Sequence, residues 1–217
     1  MIMNKSIEVV ELYKKYGDNI VLDGISMSLV YGNTYGIIGR NGSGKTVLLK
    51  CISGLTLPTK GEVVINGQTL GKDIDVPKSM GIIIETPFFL PNYSGKKNLR
   101  MLAKIRSVIY DSDIETSMKK VGLDPSSKKH VRKYSLGMRQ RLGIAQAIME
   151  KPEILILDEP LNGIDKQGIA DMRMLLRDYR SDNHIIILAS HNSEDIKTLC
   201  DVIYEIEDGQ IINTYSL

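Results

Sequence analysis

The chain has 217 residues, 42% hydrophobic and 25% charged, with a net charge of +2, enough to bury the core of one substantial domain and no electrostatic case for nucleic acid. No apolar run approaches the roughly 20 residues that cross a bilayer, and the start, MIMNKSIEVVELY, lacks the apolar block and cleavage site of a signal peptide. Two distant cysteines, Cys51 and Cys200, form no C-x-x-C pair and point to a reduced compartment.

In chain order, the first 38 residues are β-rich. SIEVVELY alternates, GDN at 17–19 turns, and IVLDGISMSLVY continues in short strands. TYGIIG is an apolar strand running into a glycine-rich loop, and TVLLKCISGL a helix with Gly54 near its end. LPTKGEVVING supplies a turn and another strand. GIIIE, residues 81–85, reads as a strand buried on both faces that ends in a carboxylate, Glu85. Residues 95–150 turn helical, in GKKNLRMLAKIRSVIY, DSDIETSMKKVGL and GMRQRLGIAQAIME, where Leu142, Ala145 and Ile148 recur at helical spacing. After Pro152 come the strand EILILD, a helix over about 166–180, the strand HIIILAS, a short helix near 193–199 and DVIYEIEDGQIIN. Apolar strands alternating with helices predict an α/β fold with a largely parallel sheet, interrupted by a helical insertion. Repeats, low-complexity tracts and linkers are absent from the sequence.

Charge is unevenly placed. Residues 86–150 hold 13 Lys and Arg against 5 Asp and Glu, and the remainder 15 against 21, so the two parts carry +8 and −6. Two readings stand: a solvated helical surface, or a face held near an anionic membrane.

Residues 39–46, GRNGSGKT, match G-x-x-x-x-G-K-[ST] between a strand and a helix. Gly39, Gly42 and Gly44 let the backbone fold tightly, so that successive amides turn toward phosphate oxygens. The following helix adds the positive end of its dipole. Lys45 is expected to reach the β- and γ-phosphates of a nucleotide, and Thr46 to offer its hydroxyl to Mg2+. ILILDEP, residues 154–160, is the second signal: a buried strand with two carboxylates at its end. Asp158 is expected to bind Mg2+, directly or through water. Glu159 points differently and is expected to face the γ-phosphate and polarise the attacking water. His191 follows HIIILAS at the same edge, where an imidazole can hydrogen-bond the γ-phosphate and hold Glu159 and the water in place. His130 and His184 lack such company and read as structural.

These motifs, in this order, resemble the ATP-binding-cassette ATPases, the nucleotide-binding subunits of ABC transporters. The decisive stretch is YSLGMRQRLGIAQAIMEKPEILILDEPLNGID, residues 134–165, which is similar to the family's signature segment, acid pair and D-loop. Ser135 and Gly137 take the signature positions, while Leu136 and Met138 depart from the commoner pattern. Asn162, Gly163 and Asp165 match the D-loop. Without the resemblance, SLGMRQR reads only as a serine-capped amphipathic helix.

The resemblance covers nearly the whole chain. It implies an α/β P-loop NTPase with a RecA-like core, an N-terminal antiparallel β subdomain and an inserted helical subdomain. Residues 1–85 and 153–217 would form the β subdomain and nucleotide-binding core, and 86–152 the helical signature subdomain. The implied ligands are ATP and Mg2+. The nucleotide is expected at Tyr16, at Gly39, Arg40, Asn41, Gly42, Ser43, Gly44, Lys45, Thr46 and Val47, and, across an interface, at Ser135 and Gly137. Glu159, His191 and Lys45 take the catalytic positions, and Thr46, Glu85 and Asp158 the metal positions. Tyr16, in KKYGDN, falls where the family stacks an aromatic ring on adenine; a surface or core role is its other reading.

Glu85 stands where most of the family carries glutamine. With SLGM and TPFFLPNYSGKKNL, it looks like the branch serving bacitracin resistance and lantibiotic immunity. A carboxylate can ligate Mg2+ as an amide oxygen can, but adds negative charge beside Asp158. Slower or more metal-dependent hydrolysis is therefore expected, a solvated strand-end acid being the alternative. The resemblance also implies a second cassette, identical or sister, facing this one head to tail. It implies a separate integral membrane permease received between the Glu85 loop and the basic helices, hence a peripheral place on the cytoplasmic face of the membrane. Phe88, Phe89 and Leu90 would line that groove or belong to the local core. The branch favours export of a peptide antibiotic, a lantibiotic or another drug, with no nucleic-acid partner. Two rival functions are an ATP-switched binding module with little turnover and a non-transport cassette ATPase. Intact Lys45, Asp158, Glu159 and His191 count against the first, and a single cassette without a heptad run against the second.

Overall fold

Strand β1 (Ser6–Tyr16) and strand β2 (Asn19–Val30) form a long antiparallel hairpin turning at Gly17–Asp18, in a computed structural model that describes residues 6–217. The sequence suggested several short strands here; pairing along the whole hairpin joins them into two. Alternation along β1 buries Ile7 and Val9, then slips by one so that Leu12 is buried next. The slip is a bulge, with Glu11 at φ +43°. Strands β4 (Lys60–Ile65) and β5 (Gln68–Thr69) complete an antiparallel sheet of order β2-β1-β4-β5.

The second sheet has order β10-β9-β3-β8-β7-β6. Its strands are β3 (Thr34–Ile38), β6 (Met80–Ile83), β7 (Ile154–Asp158), β8 (Ile185–Ala189), β9 (Val202–Glu207) and β10 (Gln210–Ser216), all paired in parallel except β10 with β9. Every residue of β7 and β8 is buried, which explains their unbroken apolar runs. Successive side chains serve opposite faces. Leu155, Leu157, Ile186 and Leu188 join the apolar cluster on the helical side, whereas Ile154, Ile156, Ile185 and Ile187 join the cluster filled by the antiparallel sheet and helix α1 (Lys45–Ile52). Strand β6 departs from the expectation of burial on both faces. It is an edge strand, and Met80, Ile82 and Ile84 are only half-buried.

Helices α2 (Gly95–Arg106), α3 (Asp111–Lys120) and α4 (Leu136–Ile148) form the insertion, followed after β7 by α5 (Lys166–Tyr179) and α6 (Ser193–Leu199). Helix α2 stops before the apolar SVIY, because Ser107 turns left-handed (φ +55°) and donates its amide to the Ala103 carbonyl. Helix α4 lies directly on β6. A Cβ at Gly81 would collide with the Ala147 carbonyl, and one at Gly143 would stand 2.6 Å from Pro87. Leu99, Ile114, Met118 and Leu142 therefore share one apolar cluster with Ile83 and Leu155, so the insertion is seated on the sheet and has no core of its own. Burial pushes the Cys51 thiol up to about 11 and the Cys200 thiol to about 12. Among the described residues no helix is long and apolar enough to cross a membrane.

Candidate functional site

Parallel pairing brings the carboxyl ends of β3, β8, β7 and β6 to one edge of the sheet. Residues 39–46 leave β3 there, Glu159 leaves β7, His191 leaves β8 and Glu85 leaves β6. Ligands of open α/β sheets bind at such an edge.

The 39–46 loop is held by close backbone approaches that only glycine allows. At Gly39 (φ +151°) a Cβ would collide with the Ile206 carbonyl, and at Gly44 (φ +103°) it would lie 2.8 Å from the Val21 carbonyl oxygen. Helix α1 starts at Lys45, and the amides of its first turn have no acceptor within the helix. The buried Lys45 side chain curls over the loop, donating to the Gly39 carbonyl at 2.7 Å and the Arg40 carbonyl at 2.9 Å. Ser43 Oγ is also buried, and is the buried side-chain oxygen or nitrogen without a hydrogen-bond partner among the described residues. The next residue, Thr46, donates to Asp158 Oδ2 at 2.6 Å, tying α1 to the end of β7. Val21, Asn41, Gly42, Gly44, Lys45, Thr46, Val47, Asp158 and Glu159 line a cleft of about 240 Å3.

Glu159 is fixed from several sides. Its backbone is left-handed (φ +48°), and its amide donates to the Ala189 carbonyl at 2.9 Å. His191 engages both carboxylate oxygens: Nδ1 lies 2.8 Å from Oε2, and the backbone amide donates to Oε1 at 3.0 Å. An ionised carboxylate only accepts, so Nδ1 carries the hydrogen and Nε2 is left for another partner. The loop bearing His191 is itself anchored. Ser190 Oγ accepts from the Asn192 amide at 3.1 Å and donates to Asp195 Oδ2 at 3.2 Å, and the buried Asp195 is held by Arg173 Nε of α5 at 2.8 Å.

These residues suit a nucleotide with a divalent cation. The first-turn amides and Lys45 supply donors for phosphate oxygens. Thr46 and Asp158 supply hard oxygen ligands. No group of three or more His, Cys, Asp or Glu converges as a metal site among the described residues. Mg2+ needs none, since one or two carboxylates with phosphate oxygens and water suffice.

Other expected site residues lie elsewhere. Ser135 caps α4 by accepting from the Met138 amide at 3.1 Å. With Gly137, Met138, Arg141, Gly163 and Asp165 it lines a second depression of about 530 Å3, which shares no lining residue with the first. Asp165 caps α5, accepting from the Gly168 amide at 2.7 Å. Tyr16, half exposed at the tip of the first hairpin, lies outside the cleft lining, with Lys14 Nζ 5.1 Å from its ring centroid. Glu85 is left-handed (φ +62°), 64% exposed, and paired with Lys50 Nζ at 2.6 Å. Phe88 and Leu90 are exposed, whereas Phe89 is buried in the helical-side cluster.

Three participants escaped the sequence reading. Val21 enters the cleft from β2 with no motif to mark it. Lys50 sits four residues, one helical turn, after Thr46. Gln140, inside the quoted signature stretch, donates Nε2 to the Glu159 carbonyl at 3.3 Å.

A parallel sheet with a phosphate-binding loop after β3, an acid pair after β7, a flanking antiparallel sheet and a helical insertion defines a P-loop nucleotide-binding cassette. The ABC transporter family profile matches residues 22–162, and the chain belongs to that family as an ATP-binding subunit. It is 48% identical to the uncharacterised ABC transporter ATP-binding protein YybJ of Bacillus subtilis (strain 168), over 94% of each chain. It is 41% identical to the bacitracin transport ATP-binding protein BcrA of Enterococcus faecalis, over all of this chain and 71% of that one. Identity to the lantibiotic transport ATP-binding protein SrtF of Streptococcus pyogenes is 35%, over 95% and 89% of the two chains. In fold, the dimeric structure of the bacterial ABC transporter cassette MJ0796 matches with a TM-score of 0.87 at 20% identity, covering 97% of this chain and 98% of that one.

Proposed function

We propose that this cassette hydrolyses ATP to ADP and phosphate and so powers a separate membrane permease, whose cargo is a peptide antibiotic such as bacitracin or a lantibiotic. The observation that carries the chemistry is the Glu159 carboxylate, oriented by His191 beside Lys45, Thr46 and Asp158. The cargo rests on the relatives named for bacitracin and lantibiotic transport.

Residues 39–47 hold the phosphate chain and Tyr16 stacks on the base, while Lys45 exchanges its two loop carbonyls for β- and γ-phosphate oxygens. Thr46 and Asp158 hold Mg2+, with Glu85 as the further acid in reach of that edge; when bound, the ion offsets phosphate charge and draws electron density from the reacting phosphoryl group. Glu159 orients a water and takes its proton as the oxygen attacks the γ-phosphorus, and ADP departs. His191 keeps Glu159 aimed and supplies Nε2 toward the γ-phosphate.

Separation of the Ser135–Gly137 depression from the Lys45 cleft supports a two-cassette site. Ser135 and Gly137 of one cassette close over the nucleotide of the other, in a homodimer or a heterodimer. The dimeric MJ0796 cassette, described in a post-hydrolysis state bound to ADP and Pi, is the precedent. The permease places the cassette on the cytoplasmic face of the membrane, against the exposed Phe88 and Leu90.

Turnover and ATP-dependent association of wild type and Glu159→Gln test this reading. We expect the variant to lose about 10²- to 10⁴-fold in kcat, and to gather as a dimer on ATP. Equal turnover, with no association of either protein on ATP, would overturn it.

A further inference from the structure

We propose that Gln140 is a positioning residue for Glu159, tying the signature helix α4 to the general base of its own cleft. The inference rests on the reading of Glu159 given above. Gln140 is buried, and its Nε2 donates to the Glu159 carbonyl oxygen at 3.3 Å. That oxygen also accepts from the Asn162 amide at 3.3 Å. The residue so held is left-handed, a conformation that a side chain bearing Cβ adopts only when its surroundings over-determine it.

The restraints on Glu159 come from three directions. Ala189 accepts from its amide, His191 donates twice to its carboxylate, and Asn162 and Gln140 donate to its carbonyl. Ala189, His191 and Asn162 belong to the sheet edge and its own loops. Gln140 alone in this set belongs to α4. With both its amide and its carbonyl held, the Glu159 backbone keeps one conformation and so one direction of its Cα–Cβ bond, and the Gln140 donor opposes any departure from it.

The same helix touches the same segment a second time. A Cβ at Gly137 would stand 2.8 Å from the Gly163 carbonyl oxygen, so α4 and residues 159–163 meet at two points less than one helical turn apart on α4. Ser135, at the N-cap, begins that turn. A shift of the α4 N-terminus therefore reaches the Glu159 backbone through Gly137 and Gln140, without passing through the cleft that holds Lys45. In a two-cassette assembly, whatever engages Ser135 and Gly137 of one subunit sets how firmly that subunit's own Glu159 is aimed.

The test replaces the donor while keeping the shape. Gln140→Met preserves length and helix preference and removes the N–H; Gln140→Lys restores an N–H on a stem of similar reach. In the nucleotide-free protein, amide hydrogen exchange at Glu159 and Asn162 is expected to quicken in Gln140→Met and to return toward wild type in Gln140→Lys. With ATP, Gln140→Met is expected to lose about 10- to 10²-fold in kcat with ATP affinity unchanged, and to add no further loss in a Glu159→Gln background. Unchanged exchange in Gln140→Met overturns the proposal whether or not the wild type turns ATP over. Equal losses of kcat and ATP affinity in both Gln140 variants also overturn it, because a general packing defect would do that. A wild type that binds ATP without turnover, yet shows the exchange pattern, overturns the hydrolytic reading and leaves the Gln140–Glu159 coupling standing.

Discussion

His191 holds Glu159 by two hydrogen bonds from one residue, ring Nδ1 to Oε2 at 2.8 Å and backbone amide to Oε1 at 3.0 Å. The pair joins the ends of neighbouring strands β7 and β8 and fixes the carboxylate plane before any substrate arrives. Because one of the two donors is backbone, removing the imidazole leaves half the restraint in place. His191→Ala is therefore expected to lower kcat by about 10²-fold, less than Glu159→Gln does, with ATP affinity within about twofold of wild type. Steady-state turnover with direct nucleotide-binding measurements checks this; a loss confined to affinity would show that the imidazole binds ATP and does not aim Glu159.

Glu85 and Lys50 make the other acid–base contact at this edge, at 2.6 Å on an exposed surface. An exposed pair contributes little to stability, so Glu85→Gln is expected to leave the thermal midpoint unchanged. Its effect should fall on the metal. Glutamine keeps an oxygen ligand, removes a negative charge from the sheet edge that also bears Asp158 and frees Lys50, so the variant is expected to turn over faster and to need a different Mg2+ concentration for half-maximal rate. Turnover against Mg2+ for both proteins decides it. Coincident curves would reduce Glu85 to a solvated strand-end acid that happens to meet Lys50.

Two adjacent phenylalanines separate docking from stability. Phe88 is 87% exposed and Phe89 7%. Phe88→Ala is expected to leave the fold and the basal ATPase unchanged while weakening capture of the cassette by its permease in co-purification from membranes. Phe89→Ala empties a site in the helical-side cluster and is expected to cost about 3–5 kcal/mol in denaturant unfolding. If Phe88→Ala left permease capture untouched, the proposed groove would lie elsewhere.

Much of the molecule was legible along the chain. GRNGSGKT named its own geometry, because glycine spacing, lysine and threonine are local requirements of a loop that backs onto carbonyls and precedes a helix. ILILD and IIILA declared themselves strands covered on both sides, since an unbroken apolar run fits only that environment. GIIIE has the same pattern yet is an edge strand. Its isoleucines reported hydrophobicity, and which neighbours would cover them depended on where the sheet ended.

The sequence by itself determined the phosphate loop, the acid pair, the strand–helix alternation and the family, because each is written in residues close together or in a fixed order. Only the tertiary structure decided that His191 adds its backbone amide to its ring in holding Glu159, that Lys50 claims Glu85 and that Gln140 reaches the Glu159 carbonyl. The reason is physical. Periodicity records which face of an element is buried, whereas a hydrogen bond between residues 19 or 32 positions apart depends on strand order and helix seating, which no local pattern encodes.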